Sequence, residues 1–375
     1  MRIEAVELRI IALPLVAPFV AAHGTVTTRT AVIIRCLGPD QEGWGECAAL
    51  PEPTYSAEYV DGAFLTLQEI LVPRLLDTDG NVEATDLTEL FADVTGHPMA
   101  RAAVELALLD AEGRQRSLSL ARMLAPRPPG PASAVTAGVA LGLMESPEAL
   151  AAEAVTRVAE GYRRLKIKIE PGRDIDHARA VRSAIGPEIE LSVDANGAYR
   201  LDDARHLAEL DDLGLAYIEQ PLPADDLLDH AELARRLSTP ICLDESLTSA
   251  SVTREALDMG ACSVVCVKAP RYGSWLEAAA VLDHCAGLGI DAWAGGMLDC
   301  GLGRAANIAL AAHPGASLTG DIAATARFFS EDITQPVVVD PTTASIAVPG
   351  RAGLGVDVDL DAVDRLTIRR DTVRR

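Results

Sequence analysis

Three patterns of apolar and polar positions succeed one another along the chain. Near the N-terminus, "MRIEAVELRIIAL" alternates as a half-buried strand does, "RTAVIIRCL" reads as a second strand, and "EGWGECAAL" as a turn and a short third. Helical periodicity takes over in "YSAEYVDGAFLTLQEILVPRLL", around "NVEATDLTELFADV", and in "PMARAAVELALLDAEGRQR". Antiparallel strands followed by helices predict an α+β domain over residues 1–125. The run "APRPPGPAS" (125–133) holds four prolines and a glycine, cannot continue a helix, and marks the best boundary.

From "AVTAGVALGL" to about residue 325, strand and helix patterns alternate. Strands are expected to start near 135, 163, 189, 215, 240, 263, 290 and 317, a repeat of roughly 25 residues, which is the length of one strand, one helix and two short loops. Such units closing on themselves predict a barrel over residues 126–325. The last stretch, 326–375, is punctuated by proline and glycine, carries short strand signals, and reads as a tail that packs back on the first domain.

Five charged residues sit at the same place in five consecutive units. Lys168 ends "RRLKIK", Asp194 "IELSVD", Glu219 "GLAYIE", Asp244 "TPICLD" and Lys268 "SVVCVK". In a parallel barrel these strand ends converge on one rim, where such enzymes keep their chemistry. One acidic residue at a strand end is ordinarily the N-cap of the next helix. Three in consecutive units, with a lysine on each side, are not explained that way. Three carboxylates in a small space raise one another's pKa unless a cation joins them, and oxygen-only ligands suit Mg²⁺ or Mn²⁺ rather than zinc. Lys166 and Lys168, two apart on one strand, face the same side and point into the barrel, with Leu165, Ile167 and Ile169 facing the helices. A lysine beside a metal and a second lysine can have a lowered pKa and act as a base. Lys268, beyond the acidic trio, approaches from the other side, so one lysine can remove a proton and the other return it.

Composition sets limits on partners. The 375 residues carry a net charge of −22, which argues against nucleic acid and against an anionic membrane surface. A metal and two lysines can still make one pocket locally positive for a small carboxylate substrate. Seven cysteines without a Cys-x-x-Cys pair suggest neither a disulfide framework nor a zinc site, and fit a cytoplasmic enzyme. The apolar run "IIALPLVAPFV" contains two prolines and follows Glu4, Glu7 and Arg9, so it is a poor signal peptide and too short to span a bilayer. Only 4% of residues are aromatic, so the core must be mostly Ala, Leu, Val and Ile. "WAGGMLDCGLGRAAN" is Gly-rich but lacks the Gly-Lys-Ser/Thr of a phosphate loop, and reads as a tight strand–helix turn. His23 and Gly24 fall in a loop between the first two strands that is either a lid or an ordinary hairpin loop.

The Lys-x-Lys strand, "VDAN", "YIEQPL", "CLDES" and the lysine on the next strand resemble the muconate-lactonizing subgroup of the enolase superfamily. "PTYSAEYVDGA", "LKIKIEPGRD", "GGMLDCGLGRAANIALA" and "GDIAATARFFSEDI" are similar to its o-succinylbenzoate synthase / N-acylamino acid (N-succinylamino acid) racemase family, over nearly the whole chain. The resemblance implies a modified TIM barrel, (β/α)₇β, with an N-terminal α+β capping domain. It implies Mg²⁺ on Asp194, Glu219 and Asp244, with Lys168 and Lys268 as acid/base pair and Lys166 supporting. The substrate carboxylate would ligate the metal, which stabilises the enediolate formed when the α-proton leaves. His23, Asn196, Arg271, Gly296 and Met297 are the substrate-binding positions it suggests, and family members are commonly homo-oligomers. A racemase reprotonates the opposite face, whereas the synthase of menaquinone biosynthesis expels a hydroxyl group.

The length, the "PTYSAEY" string and Arg271 look like the racemase-capable branch. Departures from the family pattern fall on the pocket: Lys268-Ala269-Pro270-Arg271 for Lys-Pro-Gly-Arg, Asp299 and Cys300 for Glu and Thr, Ala140 for serine, and "RFF" for "RYW". Dipeptide epimerases carry Asp-x-Asp near the seventh strand; Met297-Leu298-Asp299 has one of the two, which argues against dipeptides. The leading expectation is therefore a Mg²⁺-dependent N-acylamino acid racemase with o-succinylbenzoate synthase activity. The alternatives are a dedicated synthase, or a metal-binding barrel without turnover, which would have no need of two bases.

Overall fold

The computed structural model describes residues 1–21 and 24–375. Three N-terminal strands, β1 (Ala5–Ala21), β2 (Gly24–Leu37) and β3 (Glu42–Cys47), form an antiparallel sheet. Along β1 the burial alternates from Val6 to Ile10, as the sequence pattern requires, with Val6 and Leu8 sealed and Glu7 and Arg9 half-buried. Beyond Pro14 the ladder slips, then resumes at Phe19↔Val26 and runs to Ala21↔Gly24. The expected loop is thus a long hairpin that reaches the barrel, where the Leu143 amide donates to the Val20 carbonyl at 2.9 Å. His23, expected in this loop, lies outside the described residues.

The Pro98–Arg116 helix lies directly on β3. Gly43 and Gly45 make this contact possible: a Cβ at either would stand 1.9 Å from the Ala107 carbonyl oxygen or 2.1 Å from that of Ala103. Residues 60–77 are helical with a π turn at Leu67–Leu71, and 84–90 form a short 3₁₀ and α turn. The proline-rich run 125–133 holds neither helix nor strand.

Ten further strands follow: β4 (Ala134–Thr136), β5 (Gly138–Leu141), β6 (Arg164–Lys168), β7 (Glu190–Asp194), β8 (Ile218–Glu219), β9 (Ile241–Leu243), β10 (Val264–Val267), β11 (Asp291–Ala294), β12 (Ser345–Ala347) and β13 (Thr367–Arg374). β5 to β11 make one parallel sheet in sequence order, with helices between successive strands. Residues 317–322 close the ring as an irregular eighth stave. The Leu318 amide donates to Ala292 at 3.1 Å on one side, and the Gly138 amide donates to Ile322 at 3.2 Å on the other. Gly138 and Gly320 leave no room for side chains there: a Cβ at Gly138 would sit 2.1 Å from the Gly320 oxygen.

The architecture is the modified TIM barrel with an antiparallel cap. One strand differs from expectation. Residues 134–136, read as the opening of the first barrel strand, instead pair antiparallel with β12, and the barrel strand begins at Gly138. β13 returns to pair with β1 along Ala5↔Arg374 to Ile11↔Thr367. Among the described residues no helix is long and apolar enough to cross a membrane. All seven cysteines are buried and free.

Candidate active site

Parallel register puts the charged strand ends at one level. Lys168 is opposite Asp194, Asp194 opposite Glu219, and Glu219 opposite Cys242, with Asp244 two residues above Cys242 on the same face. Leu165 and Ile167 are fully buried, and Lys166 points inward, as the alternation predicts. Lys166 Nζ lies 2.8 Å from Glu219 Oε1, 3.2 Å from Asp194 and 2.9 Å from Asp321. Lys168 Nζ donates to Asp194 Oδ2 at 2.6 Å and to Asn196 Oδ1 at 2.7 Å. Lys268 Nζ donates to Asp244 Oδ2 at 2.8 Å and to the Tyr55 hydroxyl at 3.1 Å. The Arg271 guanidinium, buried behind it, lies 3.1 Å from Asp244 Oδ1 and donates to Tyr55 at 3.0 Å.

Electrostatics follow from this crowding. Burial raises the pKa of Asp194, but Lys168 and Lys166 overcome it and hold the carboxyl far below the usual range. Burial acts on Asp244 in the same way, and there Arg271 and Lys268 overcome it. Glu219 goes in the opposite direction: burial, then the charges of Asp194 and Asp244, push it well above the carboxylate range, and Lys166 offsets only part. Burial opposes the charge on Lys268, but Asp244 outweighs it and holds the ammonium well above its usual range. Lys166 behaves likewise: burial opposes its charge, and Asp321, Glu219 and Asp194 outweigh burial.

The donor set fits a hard dication. Oxygens of Glu219 and Asp244 and the thiol of Cys266 lie within 4.8 Å of one another. Asp194 stands outside that cluster and joins it through Lys166, which touches both Asp194 and Glu219. Burial, then Asp244, push the Cys266 thiol well above its ordinary pKa, and a sulfur ligand suits a softer metal than Mg²⁺. Asp244 Oδ1 is buried and, despite Arg271 at 3.1 Å, makes no aligned hydrogen bond among the described residues. Asp244 Oδ1, without an aligned hydrogen bond, and Glu219, whose charge its acidic neighbours oppose, are oxygens that a cation would stabilise.

Lys166, Lys168, Lys268, Asn196, Gly296 and Met297 all line one cavity that opens to solvent. Its remaining wall is largely apolar, with Phe19 and Val26 from the hairpin, Leu50, and Phe328. Asp194, Glu219, Asp244 and Arg271 stand behind the lysines and do not line it. Asn196, in a left-handed conformation (φ 44°), bridges Lys168 to Glu245, to which its amide donates at 2.7 Å. Two residues at this site escape the sequence reading. Asp321 ends the eighth stave, two repeat lengths beyond Lys268; burial opposes its charge, but Lys166 and Arg164 hold its carboxyl down to about 2. The same spacing rule, carried two units further, finds it. Tyr55 comes from a loop of the N-terminal region, where no periodicity announces it.

A ring of parallel strands under an antiparallel cap, with lysines and carboxylates converging on its rim, defines a capped barrel enzyme of the enolase superfamily. Residues 5–125 match the mandelate racemase / muconate lactonizing enzyme N-terminal domain, and residues 149–362 the enolase C-terminal domain-like model. The chain belongs to the mandelate racemase / muconate lactonizing enzyme family. It is 45% identical over 367 residues to an N-succinylamino acid racemase of an Amycolatopsis species, covering 98% of each chain. It is 41% identical over 366 residues to an o-succinylbenzoate synthase of Geobacillus kaustophilus, covering 97% of this chain and 96% of the relative. The crystal structure of an enolase-superfamily protein from Listeria innocua matches with a TM-score of 0.93 at 36% identity, over 100% of this chain and 99% of that one. These relatives are isomerases and lyases.

Proposed function

We propose that this protein removes the proton α to a carboxylate and returns one to either face, racemising N-acyl amino acids, N-succinyl amino acids in particular, with o-succinylbenzoate synthase activity at the same site. The observation that carries this reading is that Lys168 and Lys268, at the ends of β6 and β10, line one cavity from opposite ends of the acidic row. Asp194, Glu219 and Asp244 would hold Mg²⁺ (or Mn²⁺), which when bound supplies positive charge toward a substrate carboxylate as its α-proton leaves. Lys168, placed by Asp194 and Asn196, moves the proton on one face. Lys268, placed by Asp244 and Tyr55, moves it on the other. A base must be neutral, and Asp244 keeps the Lys268 ammonium charged; engagement of Asp244 as a ligand would withdraw that support. Lys166, paired with three carboxylates, balances charge at the barrel centre. Asn196, Gly296 and Met297 contact substrate at the cavity wall, and Arg271 orients Lys268 through the two partners they share. Within this reading residues 1–125 are the cap, 126–325 the catalytic barrel and 326–375 the tail that returns to the cap.

The relatives named o-succinylbenzoate synthase support a second reading, a dedicated synthase in which Lys268 serves mainly as a positive charge. One experiment separates the two. The enzyme with Mg²⁺ is given one enantiomer of N-succinylmethionine in D₂O, with α-proton loss followed by NMR and rotation by polarimetry. Parallel decay of both, stopped by chelator, is the result expected of a racemase. Exchange without loss of rotation points to one working base and the synthase, and no change in either signal overturns the N-succinyl reading.

A further inference from the structure

The cap grips one wall of the cavity through side chains that do not touch substrate space. Glu46, on β3 and sealed from solvent, accepts from the Cys300 amide at 3.0 Å through Oε1. Its Oε2 accepts from the Cys300 thiol at 2.8 Å and from the Gly303 amide at 2.7 Å. These donors open the eleven-residue Gly301–Ala311 helix, whose first-turn amides lack partners within the helix. Gly303 is needed for the approach, since a Cβ there would stand 2.7 Å from Glu46 Oε2. Arg29, fully buried on β2, donates to the carbonyl of Leu298 at 3.2 Å, a residue in the left-handed region (φ 56°) that a branched side chain seldom adopts.

The gripped segment is a wall of the site. Gly296, Met297, Leu298 and Asp299 line the cavity, whereas Glu46, Arg29 and Cys300 do not. Asp299 ties the segment inward, accepting from the Met297 amide at 2.9 Å and from Asn307 at 2.7 Å. Arg304 carries the hold across to the eighth stave, donating to the carbonyls of Asp299 at 2.9 Å and Ala323 at 2.8 Å. The pair Asp299-Cys300, a departure from the family pattern, therefore sits at the joint between cap and pocket.

We propose that Glu46 and Arg29 are positioning residues: from the cap they fix the 296–300 segment, and so set how tightly the apolar wall of Met297 and Leu298 receives the non-reacting part of the substrate. The consequence for substrate binding rests on the function proposed above; the grip itself does not. Because neither residue reaches the lysines, loosening the grip changes binding and leaves the proton transfer intact.

The test uses full-length Glu46→Gln, Cys300→Ala and Cys300→Ser. Hydrogen–deuterium exchange reads the grip without any substrate. The Cys300 and Gly303 amides should exchange at least ~10-fold faster in Glu46→Gln. Kinetics on N-succinylmethionine read the consequence. KM should rise about 10-fold in Glu46→Gln and roughly threefold in Cys300→Ala, with kcat within about twofold in both. Cys300→Ser, whose hydroxyl can still donate to Glu46, should restore the wild-type KM. Unchanged exchange in a folded Glu46→Gln, or a fall in kcat at constant KM, overturns the proposal. If Glu46→Gln does not fold, the Cys300 pair decides: equal KM in the alanine and serine variants overturns it. If the wild type turns over no N-succinyl substrate, the functional reading fails, while faster exchange in the variants still establishes the grip.

Discussion

Lys268 rests on Asp244 and Lys168 on Asp194, and in the proposed mechanism that separation provides two independent proton carriers. Replacing Lys268 with alanine should leave α-proton exchange of one enantiomer and depress interconversion about 10²–10⁴-fold, measured by NMR in D₂O against polarimetry. Equal loss of both signals would sink the two-base assignment. Asp321 is the third carboxylate on Lys166. Its pKa is depressed, so the stability it contributes is present above the usual aspartate range near 3.8 and is lost as the pH falls toward about 2. Asp321→Asn should cost about 2–3 kcal/mol by urea denaturation at neutral pH, below a full broken pair because Glu219 and Asp194 stay on Lys166. The five strand-end charges are legible because they recur with the repeat. Tyr55 is not, because it reaches Asp244 from 189 residues away in sequence, through a loop with no periodicity.

Between elements, β3 lies hard against the Pro98–Arg116 helix. Gly45→Ala would drive a methyl group to 2.1 Å from the Ala103 oxygen, a backbone atom that cannot swing aside, and should destabilise by about 1–3 kcal/mol or more. Gly287 is the contrasting case. It lies in the Trp275–Leu288 helix, and a Cβ added there would meet nothing within 4 Å, so Gly287→Ala should stabilise by roughly 0.5–1 kcal/mol. Thermal unfolding of the two variants side by side checks both signs. The strands and helices themselves are readable from alternation and 3.6-residue periodicity. The reach of the β1–β2 hairpin over the barrel is not, since past Leu13 its residues face the pocket and solvent rather than one core. Nor is the pairing of β4 with β12, because which partner a short strand finds depends on a segment about 200 residues later.

Across the full chain, cap and barrel are joined through buried acids. Glu105, on the cap helix Pro98–Arg116, accepts from the Ser274 hydroxyl at 2.7 Å and from the amides of Trp275 and Leu276, which open the Trp275–Leu288 helix of the barrel. Burial raises its pKa to about 7, only partly offset by those donors. A carboxyl raised in the folded state contributes stability that is full below the unfolded value near 4.5 and is lost as the pH rises through 7. The stability advantage of the wild type over Glu105→Gln should therefore shrink by about 2–3 kcal/mol between pH 4.5 and 7.5, followed by urea denaturation. A difference that is flat or grows with pH would refute this. Mg²⁺ bound only by the folded barrel should raise the unfolding temperature in proportion to the logarithm of its concentration, and chelator should reverse the shift.

Local pattern is enough for the element order, the repeat, the inward face of Lys166 and Lys168, and the row of charges on one rim. Each of these depends on the chain's own periodicity, which is fixed by the geometry of a strand or a helix whatever surrounds it. Contacts between distant segments are a matter for the folded chain: the Cys266 thiol within 4.8 Å of oxygens of Glu219 and Asp244, the Lys166 and Lys268 ammoniums held charged by their partners, and the cap's hold on the 296–300 wall. They depend on distance and desolvation, and those quantities exist only once the ring has closed and the cap has settled on it.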